Sequence, residues 1–146
     1  MTAELTEGPE ATEAAGARLA SGLEPGDVVL VSGELGSGKT TFVRGACAAL
    51  GVSGPIASPT FTLGRLHRGE RGPVAHLDLY RLEGLAAEEP GLLDDYLAPD
   101  AVAFVEWPER GGALELELAD GVRIAASVVI RHLGGDRRRV EVSAPT

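Results

Sequence analysis

Residues 33–40 read Gly33-Glu34-Leu35-Gly36-Ser37-Gly38-Lys39-Thr40, and this octet decides the fold of the chain. It fits the pattern G-x-x-x-x-G-K-[ST] of the P-loop, in which backbone N–H groups wrap a phosphate chain. The lysine of the pattern reaches the terminal phosphates, and the hydroxyl group that follows it binds Mg²⁺. We therefore predict that Lys39 contacts a terminal phosphate and that Thr40 is a Mg²⁺ ligand. The predicted cradle consists of Gly33, Gly36, Ser37 and Gly38.

The segments on either side of the octet are those that a P-loop requires. Residues 26–32 read as a turn followed by a buried apolar strand. Residues 39–50 predict a helix, and Gly51 is placed to end it as a C-cap. Strand, glycine loop and helix in this order would bring the helix N-terminus and its dipole against the phosphates.

Lys39 is the only lysine of the chain, and all its other strongly basic residues are arginines. A compact ammonium group suits a phosphate cradle better than a planar, forked guanidinium. The lysine count also bears on the nucleotide, because the guanine-reading motif of GTPases, Asn-Lys-x-Asp, needs a second lysine. ATP is therefore the predicted nucleotide.

The length of 146 residues predicts one domain, residues 1–146, that can bury a core. No run approaches the roughly 18 apolar residues of a membrane span, and the N-terminus is acidic, unlike a signal peptide. Cys47 is the only cysteine, and its place in the predicted helix favours a buried packing residue over a reactive thiol. These features predict a cytoplasmic protein without a membrane segment.

The formal net charge of −9 disfavours independent binding to the phosphate backbone of a nucleic acid. Arg137, Arg138 and Arg139 are a local exception, and they follow the turn-forming residues 134–136. Two interpretations of this run stay open. It is either the solvated end of a hairpin turn that leads into a strand, or a contact with nucleotide or a partner.

The pattern outside the P-loop predicts a mixed sheet. Residues 9–21 predict an amphipathic helix, residues 60–66 and 74–79 predict a hairpin around the turn-rich residues 68–73, and residues 84–97 are helical or turn-like with a break at residues 90–91. Residues 101–105 predict a buried strand. A C-terminal antiparallel meander is predicted from residues 114–118, 122–130 and 139–143. The predicted fold is α/β, a single P-loop NTPase-like domain with a mixed, partly antiparallel central sheet flanked by helices.

Two acidic residues end predicted strands, and a P-loop hydrolase needs such an acid to anchor Mg²⁺ or position water. Asp78 ends residues 74–78, and Glu106 follows the purely apolar residues 101–105. A carboxylate after such a run is desolvated, and a bound metal would offset that cost. We predict both acids as catalytic or metal-binding groups and leave open which of them contacts the metal. The alternative for each is a strand-end acid that faces solvent.

Residues near the two acids are further candidates. Trp107, the only tryptophan, follows Glu106 and is either a core residue or a group that shields the site from water. His76 shares the face of Asp78 by strand alternation, and we favour a structural histidine. Thr60 lies between the P-loop helix and the next strand, where many P-loop proteins carry a switch that senses the γ-phosphate. The alternative for Thr60 is an ordinary turn.

Four segments occur in series along the chain: residues 33–41 (GELGSGKTT), 58–63 (SPTFTL), 76–82 (HLDLYRL) and 105–108 (VEWP). Together they resemble the bacterial TsaE family, the ATPase component of the machinery that makes threonylcarbamoyladenosine in tRNA. The resemblance implies a single-domain, Mg²⁺-dependent ATPase of low intrinsic activity. It also implies that the protein binds the TsaD–TsaB pair and that ATP turnover resets this complex between cycles.

The resemblance implies roles for single residues as well. Besides the P-loop, the implied site residues are Thr41, Asp78, Glu106 and Trp107. Thr12, in the predicted N-terminal helix, matches a threonine near the bound adenine. The chain departs from the family pattern at residues 64–67 and 89–91, which affects the surface that would face partners rather than the ATP site.

Two other classes of function stay open from the residues alone. A small-molecule phosphotransferase would need an acceptor pocket and mobile arginines over the phosphates, and the sequence contains no arginine-rich insertion. A non-hydrolysing nucleotide-binding regulator would keep the P-loop but lack a positioned acid, and Asp78 and Glu106 argue against that class. In the favoured interpretation the cofactors are ATP and Mg²⁺.

Overall fold

The computed structural model describes residues 2–54, 56, 64–80, 93–111 and 118–144. Within these ranges the chain forms seven strands, two α-helices and one 3₁₀ helix. The strands are β1 (Thr2–Glu7), β2 (Asp27–Gly33), β3 (Gly64–Gly69), β4 (Gly72–Asp78), β5 (Val102–Glu106), β6 (Arg123–His132) and β7 (Arg137–Ser143). The helices are α1 (Pro9–Ala20), α2 (Lys39–Ala49) and the 3₁₀ helix Pro108–Gly111.

All seven strands belong to one sheet in the order β1-β7-β6-β2-β5-β4-β3. The four middle strands are parallel, because β2 pairs in parallel with both β5 and β6, and β5 pairs in parallel with β4. Both outer parts are antiparallel: β3 pairs with β4 on one side, and β6, β7 and β1 follow one another on the other. The predicted mixed, partly antiparallel α/β sheet is confirmed.

The central strand β2 is buried on both faces, which explains its uninterrupted apolar run. Val29 and Val31 pack with residues of α1 and α2 on one face. Val28 and Leu30 belong to the cluster on the opposite face, which contains Leu79, Leu93 and Leu97. Strand alternation therefore assigns even-numbered residues of β4 and β5 to the side of α2, because Val74 and Phe104 lie in the helix-side cluster.

The two helices approach each other so closely that the contact requires glycine. A Cβ atom added at Gly45 of α2 would lie 1.9 Å from the carbonyl oxygen of Glu13 in α1. The reciprocal contact is similar, since a Cβ atom at Gly16 would lie 2.1 Å from the carbonyl oxygen of Phe42. Because α2 begins at the P-loop, this contact fixes the position of the loop relative to α1.

Most predicted elements that fall within the described residues are confirmed. The helix at residues 9–21 is α1, the hairpin is β3–β4 with its turn at Glu70 and Arg71, and Gly51 follows α2 with a positive φ of 84°. Cys47 is buried, as predicted. Within the described ranges no helix is both long and apolar enough to cross a membrane.

The prediction missed one strand and described another region incompletely. Strand β1 was not predicted, because four of its first five residues are exposed and no amphipathic pattern marks it. The predicted meander is an antiparallel β6–β7 hairpin whose first strand also pairs in parallel with β2. Residues 114–117 lie outside the described ranges, as do residues 60–63 of the predicted hairpin and residues 84–92 of the predicted helical segment.

Candidate functional site

The P-loop joins the end of β2 to the start of α2, as the sequence predicts. Its glycines are required by backbone geometry. A Cβ atom at Gly33 would lie 2.5 Å from both the carbonyl oxygen of Ile130 and the hydroxyl oxygen of Ser37. Gly38, the residue before α2, has a φ of 107°, which other residues rarely adopt. Ser37 is fully buried, so it contributes its backbone rather than an accessible side chain.

Lys39 is folded back against the loop that it follows. Its Nζ atom donates hydrogen bonds to the carbonyl oxygens of Gly33 at 2.7 Å and Glu34 at 2.8 Å. The same atom lies 4.3 Å from the centre of the Trp107 ring, a cation–π distance. Burial lowers the pKa of Lys39 below that of an ordinary lysine, and the negative charge of Glu106 opposes this effect. The ammonium group is thus held next to the predicted cradle by two backbone carbonyl oxygens and the Trp107 ring.

Glu106 is the most enclosed of the predicted acids, with 2% of the residue exposed. Its two carboxylate oxygens accept from the hydroxyl of Thr40 at 3.2 and 3.1 Å. Its Oε2 atom also lies 2.5 Å from Nε2 of His76. An ionised carboxylate only accepts hydrogen bonds, so in this pair Nε2 of the histidine carries the proton. The predicted Mg²⁺ ligand and the predicted acid thus meet directly.

His76 has a larger part in the site than the sequence suggested. The histidine is completely buried, and its Nδ1 atom has no hydrogen-bond partner among the described residues. It reaches Glu106 because β4 and β5 are neighbouring parallel strands and both side chains lie on the α2 side of the sheet. The alternation argument had placed His76 on the face of Asp78, and only the pairing of the strands shows its contact with Glu106.

Asp78 ends β4 directly beside the end of β5, and the two acids are register partners. Its Oδ1 atom accepts a hydrogen bond from the backbone N–H of Tyr80 at 3.0 Å. Asp78 is partly exposed, in contrast with buried Glu106. Both acids therefore lie at the carboxyl edge of the sheet, which is where open α/β sheets bind ligands.

Trp107 has a backbone conformation that is unusual for a residue other than glycine, with a φ of 58°. Such a conformation costs about 1–3 kcal/mol and clusters at functional sites. Its ring centroid lies 4.8 Å from that of Tyr80, with the planes tilted by 50°. The strained turn holds the indole over Lys39, where it lines the cavity described below and also packs against the core cluster of Val28 and Leu30.

These residues enclose an open cavity of about 390 Å³. The residues that line it are Leu35, Gly36, Gly38, Lys39, Thr40, Thr41, Asp78, Glu106, Trp107 and Arg138. The cavity therefore contains most of the predicted site residues. Of the other predicted site residues, Thr12 lines an adjoining cavity, Gly33 and Ser37 belong to the loop without lining this cavity, and Thr60 lies outside the described ranges.

A second cavity of about 180 Å³ adjoins the first, and Gly38, Thr41 and Arg138 line both. Its other lining residues are Gly8, Pro9, Thr12 and Asp136. Thr12 is buried, with its hydroxyl oxygen 2.9 Å from that of Thr6. The sequence did not indicate Gly8 or Asp136, because they come together only when β1 and the β6–β7 turn pack beside the P-loop.

The three consecutive arginines have different environments. Arg137 lies 4.0 Å from a carboxylate oxygen of Glu7, and Arg139 lies 3.0 Å from one of Glu141. Arg138 instead contacts the P-loop, with its Nε atom donating to the carbonyl oxygen of Ser37 at 2.8 Å. The hairpin interpretation is thus confirmed for the turn, and the middle arginine has a partner that the sequence did not identify. Because successive side chains of a strand point to opposite faces, Arg138 lies on the opposite face of β7 from Arg137 and Arg139.

The described residues contain no group of three or more histidine, cysteine or acidic side chains that could hold a metal ion by themselves. The oxygen atoms of Thr40 and Glu106 are nevertheless within 3.2 Å of each other. Oxygen donors of this kind suit Mg²⁺, which in nucleotide sites uses one or two carboxylates and completes its shell with phosphates and water. The donor set fits such a partly protein-coordinated ion.

Comparison with known proteins gives one consistent result. A family model described as Threonylcarbamoyl adenosine biosynthesis protein TsaE matches residues 6–139. Proteins named tRNA threonylcarbamoyladenosine biosynthesis protein TsaE are similar to the chain: that of Streptomyces coelicolor is 41% identical, covering 88% of this chain and 86% of its own. The protein of the same name from Bacillus subtilis is 35% identical, and the match covers 95% of this chain and 83% of that protein. The crystal structure of YdiB from Bacillus subtilis matches with a TM-score of 0.75 and 32% identity, covering 98% of this chain and 84% of its own.

Proposed function

The chain belongs to the TsaE family of threonylcarbamoyladenosine biosynthesis, and from this membership we propose that it is a Mg²⁺-dependent ATPase that supports this modification of tRNA. The observation that carries the proposal is the contact between Thr40 of the P-loop and buried Glu106. A phosphate cradle, a hydroxyl ligand and a desolvated acid at one point are what nucleotide hydrolysis requires.

The two adjoining cavities suggest how ATP is bound. The phosphates occupy the larger cavity, where Lys39 can exchange its bonds to the carbonyl oxygens of Gly33 and Glu34 for bonds to phosphate oxygens. The nucleoside occupies the smaller cavity beside Thr12, which agrees with the role implied for that residue by the family resemblance. Gly38 and Thr41 lie between the two parts, at the start of α2, where backbone N–H groups and the helix dipole favour anions.

Thr40 and Glu106 would hold Mg²⁺, with Asp78 beside them at the same edge of the sheet. When bound, the ion neutralises charge on the phosphates. Glu106 is the group we assign to positioning and deprotonating the attacking water, since it is buried and its orientation is held by His76. Trp107 covers Lys39 and limits the access of bulk water to the reacting phosphate.

The proposed cellular partners follow from the family. We propose that the protein binds the TsaD–TsaB pair in the cytoplasm and that ATP turnover resets this complex after each cycle of modification. The net charge of −9 makes direct binding of tRNA by this chain alone an unfavourable alternative. A single domain, residues 1–146, would then act through its partners on the tRNA.

Depletion of the protein tests the pathway. We expect threonylcarbamoyladenosine in bulk tRNA to fall on depletion, to return with the wild-type gene and not to return with Lys39→Ala. An unchanged level in cells without another source of the activity would reject the proposal.

Product analysis of the purified protein tests the reaction itself. Release of ADP and free phosphate, with no other phosphorylated product, supports an ATPase. Phosphate transferred to an added acceptor would favour a phosphotransferase, and nucleotide binding without turnover, also in the presence of the partners, would favour a regulator.

A further inference from the structure

Arg138 bridges two separate segments through four backbone carbonyl groups. Its Nε atom donates to the carbonyl of Ser37 at 2.8 Å, and Nη2 lies 3.4 Å from that of Gly36. Its Nη1 atom donates to the carbonyls of Gly135 at 2.8 Å and Arg137 at 3.0 Å. A guanidinium carries five N–H donors in a rigid fork. Arg138 uses most of these donors to connect the P-loop with the β6–β7 turn.

The contacts to Gly36 and Ser37 determine where the P-loop amides point. A peptide group is planar and trans, so its C=O and N–H bonds point in opposite directions. Holding the carbonyls of Gly36 and Ser37 toward Arg138 therefore turns the N–H groups of Ser37 and Gly38 away from it, and the N–H group of Ser37 donates to the carbonyl of Glu34 at 3.1 Å, which closes the turn. The flanking backbone needs such a restraint, because Gly36 and Gly38 adopt φ angles of 76° and 107° and glycine has the largest conformational freedom to lose.

We infer that Arg138 is a positioning residue, whose forked guanidinium sets the backbone of the P-loop in its phosphate-binding conformation before any ligand arrives. The inference rests on the proposed function insofar as the ligand is a nucleotide. A lysine in this position would keep the charge but could not span Ser37 on one side and Gly135 on the other. The residue acts through backbone amides common to the diphosphate and the triphosphate, and it does not contact the reacting phosphate.

The experiment compares Arg138→Lys and Arg138→Gln with Arg137→Lys. Arg137 is a matched control, because it is adjacent, mostly exposed and lies 4.0 Å from Glu7, its carboxylate partner. Hydrogen exchange of residues 36–40 in the nucleotide-free protein reports directly on the loop. We expect exchange about tenfold faster in both Arg138 variants, which corresponds to a loss of about 1.4 kcal/mol of restraint, and no change in Arg137→Lys.

Nucleotide binding provides a second readout, followed by the fluorescence of Trp107, the only tryptophan, which lines the cavity. We expect Arg138→Lys to bind ADP and ATP about tenfold more weakly than the wild type, with the same loss of affinity for both nucleotides. Arg137→Lys should bind both with wild-type affinity. Turnover is measured at low and at saturating ATP, and we expect the larger loss at low ATP, because the contacts of Arg138 are to the loop backbone rather than to Glu106.

Several outcomes would overturn the inference. Unchanged exchange of residues 36–40 would show that Arg138 does not hold the loop. A loss confined to ATP would show that Arg138 contacts the terminal phosphate directly. Loss of the cooperative thermal transition in both Arg138 variants would show a role in the whole fold. If the wild type binds no ATP while the difference in exchange persists, the proposed function fails and the inference about the loop stands.

Discussion

Replacement of Glu106 by glutamine removes the buried charge of the site and keeps the side-chain volume. Glu106 is 2% exposed and contacts the hydroxyl of Thr40 and the Nε2 atom of His76. The glutamine keeps one carbonyl oxygen as an acceptor for one of these two partners, so the expected loss of stability is that of one charge-assisted hydrogen bond, about 1.5–3 kcal/mol. A typical domain has about 5–15 kcal/mol of stability, and we therefore expect Glu106→Gln to fold.

The effect on ATP hydrolysis should be larger than the effect on folding. A positioned acid–base group contributes about 10²–10⁴ to the rate, which corresponds to about 2.7–5.4 kcal/mol in the activation barrier at 1.36 kcal/mol per factor of ten. ATP binding should change by less than about tenfold, because Lys39 and the backbone cradle are unaltered and the glutamine keeps a carbonyl oxygen that can face Mg²⁺. The expected pattern is a folded protein that binds ATP and hydrolyses it very slowly.

Release of phosphate at saturating Mg²⁺ and ATP measures the rate of hydrolysis. Thermal unfolding measures the stability, and a nucleotide titration measures the affinity for ATP. Glu109→Gln is the matched control: Glu109 is exposed, belongs to the following 3₁₀ helix and accepts a 3.5 Å hydrogen bond from the hydroxyl of Ser32. Turnover of Glu106→Gln within threefold of wild type would refute the assignment. If Glu106→Gln is unfolded while Glu109→Gln folds as the wild type does, the role of Glu106 is structural.

Three further predictions test the loop, the helix contact and the buried thiol. Lys39→Ala should bind ATP about 10- to 150-fold more weakly, as expected for the loss of a charge-assisted contact of about 1.5–3 kcal/mol; calorimetric titration measures this, and wild-type affinity would contradict a P-loop. Gly45→Ala should lower the unfolding free energy in urea by about 1–2 kcal/mol, because its Cβ atom would lie 1.9 Å from the Glu13 carbonyl oxygen and overpacking outweighs the gain in helix propensity. Gly22→Ala, at an open position, should leave the unfolding free energy unchanged. An equal loss of unfolding free energy in Gly45→Ala and Gly22→Ala would contradict the close contact between the helices. Burial raises the pKa of Cys47 to about 12, so at pH 8 alkylation should follow global unfolding in denaturant, and rapid labelling of the native protein would argue against the packed α2 face.

Much of the phosphate site could be predicted because its determinants are local. The glycine spacing, the apolar run of β2 and the start of α2 at Lys39 are adjacent in sequence, and their backbone requirements appear as residue types. Asp78 and Glu106 were found by the same reasoning, since an acid that ends an apolar run is visible without knowing the neighbouring strand. Their roles in binding metal and in hydrolysis stay predictions that the variants above test.

The parts that could not be predicted depend on which strands become neighbours. Strand β1 carries little amphipathic pattern of its own, because it is an edge strand that is ordered by pairing with β7. The same pairing brings the region of Thr12 beside the β6–β7 turn and creates the smaller cavity. A sequence read one segment at a time contains no signal for such a contact.

The sequence by itself determined that the chain has a P-loop, two strand-end acids and the segment order of the TsaE family. Only the tertiary structure decided that His76 contacts Glu106 and that Arg138, and not its two neighbours, holds the backbone of the P-loop. The physical reason is the range of the interactions: glycine conformation and strand hydrophobicity act over a few residues. The Arg138 contact instead joins residues separated by about a hundred positions, and it forms only after the order of the strands is set.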